Sequence, residues 1–273
     1  MREILWQIYE GKNAKEWKVL GYVDNKKAEG NEDCYVSGIC CPYLGDDMWL
    51  LEQKSEINVA ITVGNPGLRR KIVQKLKKNE FIKLYKKHIK RRGADKLLGY
   101  LVDKGFLEAP ASTKYHGSYE GGLAEHSVNV MNRLMKKEVL QGYTKETIAI
   151  VGLLHDVCKV DLYKPQLEKE KIAYEYNTKS FPMTMHKAGE KQTKRTYVYN
   201  TESFPAGHGE KSIFLIQRFM NLTDEEILAI RWHMGAFDDA VRGGSRNINA
   251  AYKRSKLAVY LHLADMAATY IDE

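Results

Sequence analysis

The chain has 273 residues, of which 44% are hydrophobic and 29% charged, a composition that is ordinary for a soluble globular protein. A chain of this length can form one large domain, or a main domain with a smaller one attached. Its first residues carry charges and lack the pattern of a signal peptide, and no apolar stretch approaches the roughly 20 residues that a membrane-spanning helix needs. We therefore expect a soluble cytoplasmic protein without a membrane partner.

The first 66 residues differ in composition from the rest. Segments 17–23 and 57–63 are rich in β-branched and aromatic residues and are bounded by Gly, Asn and Asp, which favours short strands. The turn signal Asn65-Pro66-Gly67 follows them and is a natural boundary. The sequence therefore predicts a small α/β or β-rich region over residues 1–66 and a second domain over residues 67–273.

From residue 68 onward, apolar residues recur mostly at helical spacing, which predicts a mainly α fold. The clearest helix start is Thr223, which forms a capping box with Glu226. Segments 172–176 and 196–199 alternate as strands do and predict a β-hairpin or flap at about 172–203. The predicted helices cover residues 68–90, 94–104, 121–138, 144–158, 209–221, 223–235 and 248–271.

The net charge of +8 favours an anionic partner. Between Arg69 and Arg92 there are twelve Lys or Arg residues and a single acid, Glu80. Apolar residues recur through the same segment at intervals of three and four, which predicts an amphipathic helix or helix pair. Its basic face is either a solvated surface or a footprint for the backbone of a nucleic acid.

The four cysteines do not point to a site of their own. Their spacing matches neither a disulfide framework nor the paired CxxC pattern of a zinc site. We interpret them as buried or incidental thiols. They are Cys34, Cys40, Cys41 and Cys158.

The adjacent pair His155-Asp156 follows an apolar segment and precedes Lys159. An unpaired carboxylate in such surroundings would be costly, so a counter-charge is expected. Lys159, one helical turn away, is one source of that charge. A divalent metal ion bound by the imidazole and the carboxylate is the other.

Further side chains of the metal-binding type lie on or next to other predicted helices. His126 follows two glycines at a helix start, His208 immediately precedes a helix, and His233 lies on an apolar stripe. Asp265 lies in a helix with almost no other charge. For His262, one turn before it, we favour a hydrogen-bonding role over metal ligation. Because each of these faces should point inward, the set predicts one shared site.

The order His, His-Asp, His, His, Asp resembles the HD superfamily of metal-dependent phosphohydrolases over about residues 95–272, including uncharacterised phage and bacterial members. The resemblance implies an HD-domain helical bundle with one or two divalent ions (Mn, Fe, Ni, Mg or Zn). It places the first ion between His126, His155, Asp156 and Asp265. Asp156 would bridge to a second ion, whose ligands are completed by His208 and His233.

The same resemblance implies hydrolysis of a phosphate ester, such as a nucleotide or a related small phosphorylated molecule, by a metal-bridged hydroxide. Asp156 and Lys159 would be its catalytic residues. Lys211, Arg231 and His116 are candidate contacts to the substrate, although the first two are equally interpretable as surface cations and His116 as a loop residue.

Two alternatives remain open at the level of the sequence. One is a nuclease or phosphodiesterase that holds single-stranded RNA or DNA through the basic segment 69–92. The other is a non-catalytic binding protein whose core is stabilised by metal. The oligomeric state is left open.

Overall fold

A computed structural model describes residues 19–24, 34–36, 39–53, 57, 59–137, 140–167, 173–177, 184–188 and 195–273. The chain divides into two compact units, residues 1–83 and 84–273. The predicted boundary near residue 66 coincides with the start of a long helix, and the compact units divide inside that helix.

The described part of the first unit contains short strands and the beginning of the long helix. Its strands are β1 (Tyr22–Val23), which pairs in parallel with β4 (Tyr43–Gly45), and β2 (Cys34–Val36), which pairs antiparallel with β3 (Ile39–Cys41). Helix α1 (Asp47–Glu52) follows, and α2 (Pro66–His88) begins at the predicted turn signal. Asn65 caps α2, because its Oδ1 accepts a hydrogen bond from the backbone N–H of Leu68 at 3.0 Å.

The second unit is mostly helical, so the prediction of a mainly helical fold with small strand pieces is confirmed, whereas an HD-domain fold is not. No helix in the described ranges is long and apolar enough to cross a membrane. After α2, the helices are α3 (Ala94–Asp103), α4 (Gly122–Met135), α5 (Lys145–Leu154), α6 (His208–Gln217), α7 (Asp224–Trp232), α8 (Asp239–Arg242), α9 (Asn247–Arg254) and α10 (Lys256–Ala267), with a final π-helical turn over Ala268–Asp272.

Two predicted helices end earlier or break where the sequence pattern continues. The helix predicted over 144–158 ends at Leu154, and a separate 3₁₀ turn covers Val157–Val160. The helix predicted over 248–271 is interrupted at Ser255, which has an extended backbone and whose Oγ accepts from the N–H of Ala258 at 3.2 Å. Apolar residues recur at helical spacing across both points, so the sequence pattern could not show that a helix ends there. The local backbone conformation sets each helix end.

The predicted flap is built from different strand pairs than expected. Both predicted strands exist, but β8 (Arg195–Tyr199) pairs antiparallel with β5 (Tyr163–Leu167), and β6 (Ala173–Asn177) pairs with β7 (Thr184–Ala188). The prediction of one hairpin between 172–176 and 196–199 is therefore wrong. The rings of Tyr163 and Tyr199 lie opposite each other, 5.3 Å apart, and this cross-strand pair favours the observed register.

The core of the second unit forms where α4, α5, α7 and α10 pack together. Helix α5 is buried on all sides from Ile148 to Leu154, and α4 buries one broad face that includes His126. A fully buried aliphatic side chain contributes roughly 1.5–3 kcal/mol, so this packing holds the helix ends firmly in place. The polar residues at those ends are consequently carried into the core.

The end of the basic segment is fixed inside the second unit by an ion pair. The guanidinium of Arg91 donates to both carboxylate oxygens of Glu226, at 2.6 and 2.9 Å, and the Glu226 side chain is fully buried. Glu226 also completes the predicted capping box, since it accepts from the N–H of Thr223 at 2.8 Å and Thr223 Oγ1 accepts from Glu226 N–H. One carboxylate thus joins the loop after α2 to the start of α7.

We expect Glu226→Ala to lower the free energy of unfolding by about 3 kcal/mol, because the change removes the buried carboxylate that accepts twice from the partly buried Arg91 and removes half of a cap. Arg254→Ala is the control, since its pair with Asp224 is exposed and has a separation of 3.4 Å. Denaturant unfolding of the two variants and the wild type measures the difference. Equal stability of the two variants would contradict this role of Glu226.

Candidate metal centre

Two histidines occupy equivalent positions at the ends of helices. His155 is the C-terminal cap of α5 and His233 that of α7, and both side chains are fully buried. Each ring directs Nδ1 toward the backbone carbonyl three residues earlier, at 3.0 Å in Gly152 and 2.7 Å in Ile230. Because a carbonyl oxygen only accepts, Nδ1 is the donor in both rings. A neutral ring then presents the lone pair of Nε2 to the interior.

His126, on α4, meets these residues from the other side. Its Nδ1 donates to Oε1 of Glu273 at 3.0 Å. Its Nε2 lies 3.1 Å from Oδ1 of Asp265 and 3.3 Å from Nε2 of His155. Two imidazole nitrogens of ligand type therefore face each other at short range inside the protein.

The carboxylate of Asp156 lies at the centre of the cluster. Its Oδ2 is 2.6 Å from Nζ of Lys159, 3.6 Å from Nε2 of His155 and 3.9 Å from Nε2 of His126. Its Oδ1 is 3.3 Å from Nε2 of His233. Lys159 thus supplies one of the two counter-charges considered from the sequence, and the histidines lie near both oxygens.

The charges of the cluster are strongly coupled. Burial disfavours the imidazolium of His126, but its hydrogen bonds to Asp265 and Glu273 outweigh burial and raise its pKa to about 9. Burial lowers the pKa of His155 to about 4, so that ring is neutral. For Asp156, burial acts to raise the pKa, but Lys159 and His155 hold it well below its usual range. Without a metal, a protonated His126 thus lies beside ionised carboxylates.

His208 and Cys158 lie on one side of Asp156. A carboxylate oxygen of Asp156, the Sγ of Cys158 and a ring nitrogen of His208 lie within 4.8 Å of one another. The Nδ1 of His208 is buried and has no hydrogen-bond partner in the described part of the chain. The structure therefore places His208 beside Asp156, together with a thiol that the sequence analysis interpreted as buried or incidental.

The three candidate substrate residues have different surroundings. Lys211 is buried and contacts both Asp161 and Ser203, so its charge is already paired within the protein. Arg231 pairs with Asp238 at 2.7 Å and with Glu210, and its guanidinium also stacks over the neighbouring ring of Trp232.

His116 is the third of these candidates and lies at the cluster. Its ring centre is 5.0 Å from that of His126, and in the described ranges neither of its nitrogens has a hydrogen-bond partner. Its position is therefore beside the proposed ligands, whereas Lys211 and Arg231 are engaged elsewhere.

Two further residues orient the histidines of the cluster, and the sequence pointed to only one of them. His262 has the expected hydrogen-bonding role, since its Nδ1 donates to the backbone carbonyl of His233 at 2.6 Å. Glu273 was not foreseen, although it orients His126 and its side chain is only 4% exposed. It follows no spacing pattern with the other residues, so only the fold reveals it.

Close helix contacts set the distances in the cluster. A β-carbon at Gly152 would lie 2.7 Å from Cα of Met131, so α4 and α5 touch through their backbones just before His155. A β-carbon at Gly209 would lie 2.4 Å from the carbonyl oxygen of Ile230, so the start of α6 meets the end of α7 in the same way. Only glycine permits these approaches without displacement.

The comparisons with known proteins match a different part of the chain. A family model described as the PglD N-terminal domain, from acetyltransferases of the hexapeptide-repeat family, matches residues 7–76. No curated protein and no solved structure gives a significant match. The match covers about a quarter of the 273 residues, so it describes the N-terminal segment and does not assign the whole chain to a family.

This result corrects the functional prediction made from the sequence. The predicted membership of the HD superfamily is wrong, and so is the phosphohydrolase or phosphodiesterase activity that it implied, because the match points to an acyltransferase-type family. Neither alternative, the nuclease or the non-catalytic binding protein, gains support. The physical reason is that buried histidines and carboxylates in this order specify ligand chemistry, whereas they do not specify a reaction.

We expect Gly152→Ala to destabilise the protein by about 1–3 kcal/mol, because the added methyl group forces α4 and α5 apart. Gly99→Ala is the matched control: it also lies inside a helix, but a β-carbon there meets nothing within 4 Å. That change should stabilise by about 0.5–1 kcal/mol through helix propensity. Thermal and denaturant unfolding test both, and a neutral Gly152→Ala variant would contradict the close contact.

Proposed function

We propose that the second unit binds divalent transition-metal ions in the buried cluster. The first ion is held by His126, His155, Asp156 and Asp265. A second position adjoins Asp156 on the side of His208 and His233. The observation that carries the proposal is the 3.3 Å approach of the Nε2 atoms of His126 and His155, whose Nδ1 atoms are both engaged with acceptors.

The facing nitrogens require a proton or a metal ion between them. When Nδ1 of each ring donates its proton, both Nε2 atoms present lone pairs, and lone pairs at that distance repel unless a proton or a metal ion intervenes. Ligand histidines typically donate their other N–H to a carbonyl or a carboxylate. His126, His155 and His233 all do so here, toward Glu273, Gly152 and Ile230.

The charges around the cluster also favour a cation. With neutral imidazoles, the carboxylates of Asp156, Asp265 and Glu273 contribute three negative charges against one positive charge on Lys159. Such an excess of negative charge is energetically unfavourable in a buried site unless positive charge compensates it. A divalent ion provides the compensation and replaces the proton on His126.

The donor set narrows the class of ion. Imidazole and carboxylate ligands together suit Zn, Fe, Ni and Mn, whereas Mg and Ca prefer sites made only of oxygen. The residues closest to the centre are nearly all buried, which favours a tightly held ion over a loosely exchanging one. We propose no reaction for the site.

Metal content measured after purification and after loading with Zn²⁺ tests the proposal. We expect Asp265→Asn, which keeps the shape of the side chain but removes its charge, to lose the ion at the first position. We expect His155→Ala to lose it as well. His88→Gln is the control, because His88 lies at the end of α2 and is no part of the cluster. Full metal content in both cluster variants would refute the proposal.

Metal should also stabilise the folded protein. At a free concentration about 100 times the dissociation constant, one bound ion adds about 2.7 kcal/mol to the free energy of unfolding. We expect a rise in melting temperature with Zn²⁺ in the wild type and in His88→Gln, and a clearly smaller rise in Asp265→Asn, which lacks a ligand of the first position. A shift of equal size in all three proteins would place the bound ion elsewhere.

Glu273→Ala should weaken metal binding by about 10–100-fold, since the loss of an acceptor that orients a ligand histidine has that effect in other metal sites. Asp272→Ala is the matched control. It removes the contact of the same turn with Arg133, at 2.5 Å, but leaves the hydrogen bond of His126 in place. Competitive titration with a chelating dye gives both affinities, and equal losses would show that Glu273 acts only by anchoring the turn.

A further inference from the structure

We propose that Cys158 is a metal ligand and that its thiolate, together with Asp156 and His208, forms the second metal position. The inference rests on the proposed metal-binding function and adds a sulfur donor to it. It also changes the interpretation of Cys158, whose spacing from the other cysteines gives no sign of a site.

The geometry brings three different donors together. The carboxylate oxygen of Asp156, the Sγ of Cys158 and the ring nitrogen of His208 are mutually within 4.8 Å. In a tetrahedral zinc site the bonds are about 2.0–2.3 Å long, so the ligand atoms stand roughly 3.3–3.8 Å apart. The separation of the donors therefore exceeds this spacing by at most about 1–1.5 Å.

The local structure holds these donors on two elements that are tied to each other. The 3₁₀ turn after Asp156 presents Cys158, and the backbone N–H of Cys158 donates to Oγ of Ser212 at 3.2 Å. Ser212 is fully buried on α6, the helix that begins at His208. The thiol and the imidazole are therefore positioned by one connection between the turn and α6.

Two buried polar atoms of this group have no hydrogen-bond partner in the described part of the chain, which favours a bound ion. Asp156 is only 2% exposed, and its Oδ1 has no hydrogen-bond partner within the described ranges, although Nε2 of His233 approaches it. Nδ1 of His208 is likewise buried and unpartnered in that part of the chain. A buried polar atom without a hydrogen-bond partner costs about 1–3 kcal/mol, and an ion bound to both atoms removes that cost. Cys158, 1% exposed, adjoins these polar atoms.

The sulfur determines which ions fit. A thiolate favours Zn, Co, Fe or Cu over Mg, Ca or Mn, so the second position should discriminate against the harder ions. Binding converts the thiol to a thiolate, and its proton leaves to solvent as the metal–sulfur bond forms. The first position, built from nitrogen and oxygen alone, has no such preference for soft ions.

Cobalt titration of the full chain tests the proposal, because a Co²⁺–thiolate bond gives an intense charge-transfer band in the near ultraviolet that nitrogen and oxygen ligands do not give. We expect this band in the wild type. We expect Cys158→Ser to lose it and to bind at least ten-fold more weakly at one position, while cobalt at the first position remains. Cys41→Ser, which removes another buried thiol, is the control and should keep the band.

Each outcome decides between distinct conclusions. Bound cobalt without the band, or a band that survives in Cys158→Ser, overturns the role of Cys158 and leaves the metal-binding function standing. A band lost only in Cys41→Ser assigns the sulfur to the first unit and also overturns it. No cobalt binding at all refutes both proposals. If Cys158→Ser does not fold, coupling between ¹¹³Cd and the β-protons of Cys158 in the cadmium-loaded wild type gives the same answer.

Discussion

The second unit depends on one electrostatic constraint. Imidazole nitrogens and carboxylate oxygens, whose lone pairs and charges repel one another, converge in a space with almost no solvent-accessible surface. The Nε2 atoms of His126 and His155 lie 3.3 Å apart, and the Asp156 carboxylate is only 2% exposed. Such an arrangement is costly without a cation. In the metal-free protein, a proton on His126 and the ammonium of Lys159 supply positive charge. A metal ion does so more fully.

Two helices end at the site, and their last residues supply histidines to it. His155 and His233 cap α5 and α7, and the same hydrogen bond to the carbonyl three residues earlier orients each ring. Gly152 lets α4 approach α5 closely enough for His126 to reach His155. Packing of apolar helices thus determines the positions of the polar atoms, and an acceptor behind each ring orients His126, His155 and His233. Packing and hydrogen bonds of this kind orient the three rings without an ion.

Sequence reasoning predicted the helical class, the capping box at Thr223 and the convergence of His126, His155, His233 and Asp265, because helical periodicity and the cost of buried charge are local and general. It could not predict Glu273, Cys158 or the pairing of β5 with β8, which depend on contacts between distant segments. It also went too far in assigning a reaction, since the match at residues 7–76 points elsewhere. The types of ligand residue constrain which ion can bind, but they do not determine which reaction the protein catalyses.

Anomalous diffraction from crystals loaded with Zn²⁺, collected on both sides of the zinc absorption edge, tests the central claim most directly. The predicted result is a strong peak inside the second unit, about 2.0–2.1 Å from the Nε2 atoms of His126 and His155, with carboxylate oxygens of Asp156 and Asp265 completing the coordination. The side chains must separate slightly to admit the ion. A fully loaded crystal with no peak between these residues, or with zinc bound only at the surface, would contradict the account.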